Sequence, residues 1–329
     1  MTALAPALQA FFTDRLITQR NASPQTIAAY RDTFKLLLGF AREQTGKQPF
    51  ELDLEDLDAP LIGAFLVHLE QARGNSPRTR NARLGAIHSF YRFAALEHPE
   101  HAATIARVMA IPTKRHERNT VCYLDLDEIK ALLATPDPDT WLGRRDHALL
   151  MLMVQTGVRV SELVGLRVRD VHLGTGAHIR VTGKGRKKRA TTLTGETVAI
   201  LRAWLSERRG QPEEPLFPTG QGRPLSRYTV GAAISKYVAA AATTCPSLTA
   251  KRVTPHTLRH TNAMLLRAKG VDIATIALWL GHESTQTTHI YEHADPALKE
   301  QAIARTAPLG VKPGRYRPSD TLLAFLEGL

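Results

Sequence analysis

The sequence predicts a mainly α-helical protein, in which a helical bundle precedes a second, mostly helical domain that contains a small antiparallel β-sheet. Two observations lead to this prediction. Apolar residues recur at helical spacing through residues 1–111, with no alternating stretch long enough for a sheet. A polar segment at 112–120 follows, and beyond it short β-rich stretches between 168 and 193 interrupt the helical pattern. The length of 329 residues also suits about two domains at roughly 150 residues each.

Four or more helices are expected in the first part. One spans Leu4 to Ile17 and another spans Ala59 to Gln71. Two further helices begin at Ser23-Pro24 and at Ser76-Pro77, because serine caps a helix N-terminus and proline suits the first turn. Apolar side chains follow both pairs at helical spacing, which predicts a bundle with one apolar core.

The second part is expected to begin with helices near Asp125–Leu133 and Arg144–Thr156, and a third helix starts near Val160. The segments 168–173, 178–181 and 189–193 are short, rich in β-forming residues and joined by glycine-containing turns, which predicts the sheet. Helices are expected again at Glu196–Glu207, Arg227–Ala241, His256–Ala268, Ile273–Leu280 and Thr285–Glu292. The last ten residues, 320–329, are expected to form a short amphipathic segment.

Charge and composition narrow the class of protein. Lysine and arginine total 43 and aspartate and glutamate total 31, so the net charge is +12, of which residues 118–329 carry +10. Such an excess favours a polyanionic partner. Two cysteines are too few for a disulfide framework, and no apolar run approaches the ~18 residues of a membrane span. The amino terminus lacks the basic region of a signal peptide, so we expect a cytoplasmic protein without membrane association.

Four short motifs are too specialised for packing alone. Residues 156–163, TGVRVSEL, place Arg159 at the entrance of a helix with Glu162 on the same face. Residues 182–189, TGKGRKKR, are predicted to form a hairpin turn, in which 184–189 carry five positive charges. Residues 255–260 read PHTLRH, and LGHES at 280–284 is followed by HIYEH at 289–293.

Each motif alone has an ordinary interpretation. Arg159 with Glu162 can be a plain helical ion pair, the hairpin a solvated surface, and Tyr291 an interface aromatic. His256 and His260 lie four residues apart, as metal ligands on a helix do. A metal is disfavoured because an arginine would stand beside it and the glutamate of the His-Glu-x-x-His pattern is missing.

In their order and spacing, the motifs resemble those of the tyrosine recombinases, also called the phage integrase family. The resemblance covers about residues 5–300 and is carried by Gly157-Val-Arg159-Val-Ser-Glu162, Gly183-Lys184-Gly185, His256-Thr-Leu-Arg259-His260, Leu280-Gly281-His282 and Tyr291. It implies six catalytic residues, namely Arg159, Lys184, His256, Arg259, His282 and Tyr291. It also implies a SAM-like, DNA-clamping core-binding domain over 1–111, a linker at 112–120, a catalytic domain over 121–300 and a tail at 301–329 that docks on a neighbouring protomer or folds back on its own chain.

The implied reaction suits these residue types. Tyrosine has an ordinary pKa of ~10 and becomes a nucleophile only where cations and a base help to remove its proton. Tyr291 would attack a phosphodiester to give a 3′-phosphotyrosyl link and a free 5′-hydroxyl, and a hydroxyl from another strand can reverse the step. Arg159 and Arg259 suit the phosphate, since a guanidinium offers a planar fork of donors to its oxygens.

The remaining roles follow from the resemblance. Lys184 would be the general acid for the leaving 5′ oxygen, with Lys187 as the alternative. His256 would exchange a proton with Tyr291, and His282 would donate to a phosphate oxygen. Glu162 would hold a catalytic histidine or arginine, and His260 is expected to make a structural hydrogen bond. Because these groups supply every role, no metal or other cofactor is expected.

Double-stranded DNA is the expected partner, which makes the protein DNA-associated in the cell. In the family, two protomers bind one site and four form the synapse, and other recombinases can take part. Two basic clusters are candidates for DNA contact: Arg78, Arg80, Arg83 and Arg92 on the helix over 77–97, and Arg186, Lys187, Lys188 and Arg189 on the hairpin.

Two alternative functions stay open, a type IB topoisomerase that relaxes supercoils and an accessory protein that only binds DNA. Integration, excision, dimer resolution and transposition all use the same chemistry.

Overall fold

The structure is a computed structural model that describes residues 3–115, 121–183, 188–281 and 288. The chain divides into two compact units, Met1–Arg118 and Asn119–Leu329. The first unit is helical, and the second combines helices with one small sheet. The mainly α fold class predicted from the sequence is confirmed. No helix in the described part of the chain is long and apolar enough to span a membrane.

Helices account for most of the first unit. They are α1 (Leu4–Ala10), which continues into a π-helical segment (Phe11–Gln19), α2 (Pro24–Thr45), α3 (Ala59–Gln71), α4 (Pro77–Glu97) and α5 (Ala102–Met109). The two Ser-Pro starts act as predicted: the side chains of Ser23 and Ser76 accept hydrogen bonds from the amides of Thr26 and Thr79. The sequence predicts the end of α4 at residue 97, as observed, but no separate helix for α5, which follows a short turn at Pro99–His101.

Aromatic side chains fill the core of this unit. Phe11, Phe34 and Phe90 are buried, and their ring centroids lie 5.4–6.3 Å apart in edge-to-face pairs. Tyr91 is also buried, and its hydroxyl donates to the carbonyl oxygen of Leu57. Burial raises the pKa of Tyr91, so the phenol stays protonated and keeps this bond.

The second unit places its sheet between two groups of helices along the chain. The helices are α6 (Leu126–Ala134), α7 (Trp141–Thr156), α8 (Val160–Leu163), α9 (Gly195–Arg208), α10 (Arg227–Ala241), α11 (Pro255–Ala268) and α12 (Ile273–Leu280). The strands are β1 (Val171–His172), β2 (His178–Thr182) and β3 (Lys188–Thr192). Helix α7 packs against both α9 and α11, and its apolar residues are buried almost around its whole circumference.

The sheet is antiparallel in the order β1-β2-β3, with Val171 paired to Ile179 and Arg180 paired to Ala190. The first strand is shorter than predicted. Residues Val168–Asp170 form a 3₁₀ turn, because the Asp170 carboxylate accepts a hydrogen bond from the backbone amide of Arg167 at 2.9 Å. The helix predicted at 285–292 lies outside the described residues.

Candidate active site

Two glycine turns bring the ends of two helices together. Helix α7 ends at Gly157 with φ +63°, and α12 ends at Gly281 with φ +64°, a left-handed conformation that favours glycine. A Cβ atom at Gly157 would lie 2.6 Å from Leu280 Cδ2 and 2.8 Å from Asn262 Oδ1. The two turns therefore approach each other too closely for any side chain at Gly157.

Arg259 lies beneath both turns and joins them. It occupies the first half of α11, is 3% exposed, and donates from Nη1 to the Gly157 carbonyl and from Nη2 to the Leu280 carbonyl, each at 2.6 Å. These bonds fix the plane of the guanidinium. The sequence-predicted arginine is thus oriented by the backbone of two distant motifs.

Arg159 also binds the turn at the end of α12. It is the residue that precedes α8, and its Nη2 donates to the Gly281 carbonyl at 3.0 Å while Nη1 donates to Glu162 Oε1 at 3.0 Å. Its side chain remains 27% exposed. Since Arg159 and Arg259 bind successive carbonyls, those of Gly281 and Leu280, the two guanidiniums converge on one turn, and Arg159 stays accessible to a ligand.

Glu162 is a buried carboxylate held by two arginines. Its side chain is 3% exposed and accepts both nitrogens of the Arg189 fork at 2.9 Å, in addition to the side chain and the backbone amide of Arg159. Burial opposes ionisation, but the hydrogen bonds from Arg189 and from the Arg159 amide, with both guanidinium charges, outweigh it and hold the pKa of Glu162 below its ordinary value. The carboxylate is therefore ionised at neutral pH.

Two histidines sit on α11 beside Arg259. The first turn is fixed by Thr254, whose hydroxyl accepts the amide of Thr257 at 3.2 Å. His256 is exposed on this turn, and its ring centroid lies 6.4 Å from that of His260. Partial desolvation, with the charges of Arg259 and Arg159, lowers the pKa of His256. His260 is half-buried, and desolvation, with the charge of His256 in its protonated form and that of Arg259, lowers the pKa of His260 to about 4. Both rings are neutral at pH 7.

Several predicted site residues lie outside the described part of the chain. They are Lys184, Arg186, Lys187, His282 and Tyr291. Some of their neighbours in sequence are described. Strands β2 and β3 pair up to Thr182 and Lys188, and Gly281 directly precedes His282. Lys188 is exposed, whereas Arg189 is half-buried against Glu162.

The arginines of α4 have different surroundings. Arg78 and Arg92 are exposed, and Arg83 is half-buried. Arg80 is 7% exposed and donates from Nη1 to the Pro112 carbonyl at 2.9 Å and to Asn81 Oδ1 at 3.1 Å. Arg80 therefore anchors the end of the first unit, and Arg78 and Arg92 are the most exposed members of this cluster.

Sequence reasoning missed two residues that support the site. Asn262 donates from Nδ2 to the carbonyls of Val154 and Gln155 at 3.0 and 2.7 Å, and Trp279 donates from Nε1 to the Thr156 carbonyl at 3.1 Å. Both tie α11 or α12 to the end of α7. No sequence signal marks them, because their partners are backbone carbonyls that any residue provides. Within the described ranges, no group of three or more His, Cys, Asp or Glu side chains is arranged to hold a metal.

Comparison with known proteins identifies the two units. The model of the phage integrase family matches residues 122–297, and that of the phage integrase N-terminal SAM-like domain matches residues 10–98. The chain is similar to the putative integrase/recombinase y4rC of Sinorhizobium fredii, with 54% identity over 99% of this chain and 98% of that protein. It is 34% identical to the tyrosine recombinase XerC of Pelobacter propionicus over 84% of this chain and 87% of that protein.

A solved structure shares the fold. The crystal structure of the XerH site-specific recombinase, bound to a palindromic difH substrate in a post-cleavage complex, covers 87% of this chain and 81% of its own, with a TM-score of 0.68 and 23% identity. A SAM-like helical domain ahead of a catalytic domain with clustered arginines and histidines defines an integrase-type DNA recombinase. The chain belongs to the phage integrase family, and it is an enzyme of the tyrosine recombinase class, which breaks and rejoins DNA.

Proposed function

We propose that this recombinase cleaves DNA with Tyr291 while Arg159 and Arg259 hold the scissile phosphate. The observation that carries the proposal is the anchoring of both guanidiniums on the carbonyls of Leu280 and Gly281, immediately before His282. The phenol oxygen of Tyr291 attacks phosphorus, and the bond from phosphorus to the 5′ oxygen breaks. The electron pair leaves with that oxygen, which takes a proton, so the products are a 3′-phosphotyrosyl link and a 5′-hydroxyl.

The two arginines stabilise the charge that develops on the phosphate oxygens. Donors aimed at such charge in a water-excluded site are worth about 3–4 kcal/mol each. Arg259 is well suited because backbone carbonyls fix its plane before DNA binds, so little reorganisation is required. Arg159 complements it, since part of its side chain is open to solvent.

Proton transfer is assigned to the basic and imidazole groups. Lys184 protonates the leaving 5′ oxygen, with Lys187 as the alternative acid on the same turn, and His282 donates to a phosphate oxygen. His256 takes the proton of Tyr291. Support for this role comes from its lowered pKa, because a neutral imidazole can accept a proton at pH 7. His260 stays a structural neighbour of His256, and no metal or other cofactor takes part.

The rest of the chain organises DNA around this chemistry. We assign 1–111 as the core-binding domain, 112–120 as the linker, 121–300 as the catalytic domain and 301–329 as a tail that docks on a neighbouring protomer or folds back on its own chain. Arg78 and Arg92 contact the DNA backbone, as do Arg186, Lys187 and Lys188. Two protomers bind one site and four form the synapse, alone or with other recombinases, on the nucleoid in the cytoplasm. Family membership favours this activity over the topoisomerase and the accessory binder.

The test of Tyr291 uses a DNA site selected from a randomised pool by repeated binding to the full-length protein. A duplex of that site carries a nick just beyond the scissile phosphate, so that the short released fragment diffuses away and the covalent adduct accumulates. We expect the wild-type protein to give an adduct that survives denaturation, and Tyr291→Phe to bind the duplex without forming it. Tyr228→Phe is the matched control, because Tyr228 is 85% exposed on α10.

An adduct from Tyr291→Phe equal to that of the wild type would show that another residue is the nucleophile. Mass spectrometry of the digested adduct then identifies the phosphorylated peptide. A plasmid that carries two selected sites separates the activities, since a recombinase joins the sites and a topoisomerase only relaxes the supercoils.

A further inference from the structure

Arg189 makes the most complete ion pair near the site. It is the second residue of β3, and its side chain is 16% exposed. Its Nη1 donates to Glu162 Oε1 and its Nη2 to Glu162 Oε2, both at 2.9 Å, which is the bidentate arrangement that a guanidinium forms with a carboxylate. Both terminal nitrogens of Arg189 therefore bind a side chain of the protein itself.

The same carboxylate also accepts hydrogen bonds from Arg159. Glu162 Oε1 also accepts Arg159 Nη1 at 3.0 Å, and Oε2 accepts the Arg159 backbone amide at 2.9 Å. The Arg189 side chain also covers Gly281, where a Cβ atom would lie 2.8 Å from Nη1 and 3.1 Å from Cδ. The Arg159 side chain is held by Glu162 and by the carbonyl of Gly281, and Arg189 contacts both of these residues.

The charges explain why a second arginine matters. Glu162 and Arg159 alone would form a neutral pair, and a free carboxylate fork would draw the Arg159 guanidinium into a bidentate pair of its own. With Arg189 present, the group of two arginines and one glutamate carries a net charge of +1. Both carboxylate oxygens are already engaged, so Arg159 keeps donors for Gly281 and for a phosphate.

We propose that Arg189 is a positioning residue, which clamps Glu162 and thereby holds Arg159 in place for the scissile phosphate. The inference rests on the proposed role of Arg159, and it replaces a direct DNA contact by Arg189. Because Arg189 lies on β3, the clamp also ties this strand to Arg159.

The experiment compares three variants of the full-length protein on the nicked duplex: Arg189→Gln, Arg189→Lys and Lys188→Gln. The single-turnover rate of adduct formation is measured at saturating DNA, and the Kd is measured across salt concentrations. For Arg189→Gln we expect the rate to fall by about 10-fold to 100-fold while the Kd and its salt dependence stay within about 2-fold of the wild type. Arg189→Lys recovers part of the rate, because it restores the charge without the fork.

Lys188→Gln is the contrasting control, because it removes one positive charge from the exposed neighbour on the same strand. It should weaken binding and reduce the salt slope by about 1. The same binding pattern for Arg189→Gln, with an unchanged rate at saturation, would mean that Arg189 contacts DNA directly and would overturn the clamp. If Arg189→Gln does not fold, Arg189→Lys carries the comparison.

A second measurement needs no DNA. Urea unfolding of Arg189→Gln, Glu162→Gln and the double variant forms a double-mutant cycle. The clamp predicts that the double variant shifts the urea midpoint by less than the sum of the single shifts, and additive shifts would contradict it. If the wild-type protein forms no adduct, the proposed function fails, and this cycle alone decides whether the clamp exists.

Discussion

At the residue scale, the site depends on two glycines and two arginines that the backbone holds together. Gly157 and Gly281 reverse the chain at φ values near +60°, and their carbonyls accept Arg259 and Arg159 respectively. The order of the motifs predicts Arg159 and Arg259 as site residues. It does not predict their mutual orientation, because that depends on carbonyl groups that carry no sequence signature.

We expect Gly157→Ala to be far more destabilising than the same change at Gly270. Both positions have positive φ, so each alanine costs about 1–2 kcal/mol for the left-handed conformation. Gly270 has open space around it, whereas a Cβ at Gly157 meets Leu280 and Asn262, which adds about 1–3 kcal/mol of overpacking. Urea unfolding measures both free energies. Equal losses would show that the turns are not packed as described.

His260 makes stability depend on pH. Its folded-state pKa of about 4 lies below the ordinary value of 6.5, so between these values the unfolded chain binds more protons than the folded one. The unfolding free energy of the wild type should therefore fall as pH drops from about 6.5 to 4. His260→Gln should reduce this slope, leaving the part that His256 contributes. Urea unfolding across this range is the measurement, and identical slopes would argue against the assignment.

At the scale of elements, helix ends place the chemical groups. The first two turns of α11 carry His256 and Arg259, and the Thr254 cap fixes where the helix begins. Capping residues also made much of the fold predictable: the Ser-Pro pairs start α2 and α4, and the bounds of α3 and α10 agree with the apolar periodicity. Helix α5 and the shortened β1 escaped prediction, because each is a short segment whose conformation depends on its neighbours.

Loss of the α11 cap should affect chemistry as well as stability. Thr254→Ala removes the acceptor for the Thr257 amide and should cost about 0.5–2 kcal/mol. Ser226→Ala removes the equivalent cap of α10, a helix without motif residues, and should cost a similar amount. Only Thr254→Ala should slow adduct formation on the nicked duplex, because it loosens the turns of His256 and Arg259. An equal loss of rate in both variants would assign the effect to stability alone.

At the scale of the whole molecule, the net positive charge is distributed unequally between the two units. The catalytic unit holds most of the net charge of +12, and part of that excess faces buried carboxylates, as Arg189 does on Glu162. In the first unit, Arg80 is likewise used internally on Pro112. Net charge therefore indicates a polyanionic partner but overstates how many arginines are free to bind it.

DNA affinity should fall steeply with salt, since each phosphate contact releases condensed counterions and contributes about −0.9 to the slope of log K against log salt. On α4, Arg92→Gln should lower this slope by about 1, because Arg92 is exposed. Arg80→Gln is the matched control, which should reduce stability and leave the slope unchanged. The Kd for the selected duplex is measured at salt concentrations between about 50 and 200 mM. Salt-independent affinity would contradict an electrostatic interface.

The sequence by itself determined the mainly helical fold class, the order of the motifs and the family, since periodicity, caps and motif spacing are local properties of the chain. Only the tertiary structure decided which charges serve the site. It buried Arg259 under two glycine turns, left Arg159 open, and turned Arg189 onto Glu162. The physical reason is that a guanidinium pairs with the carbonyl and carboxylate oxygens that the fold brings within hydrogen-bond distance, about 3 Å. These oxygens belong to residues that lie far away in the sequence.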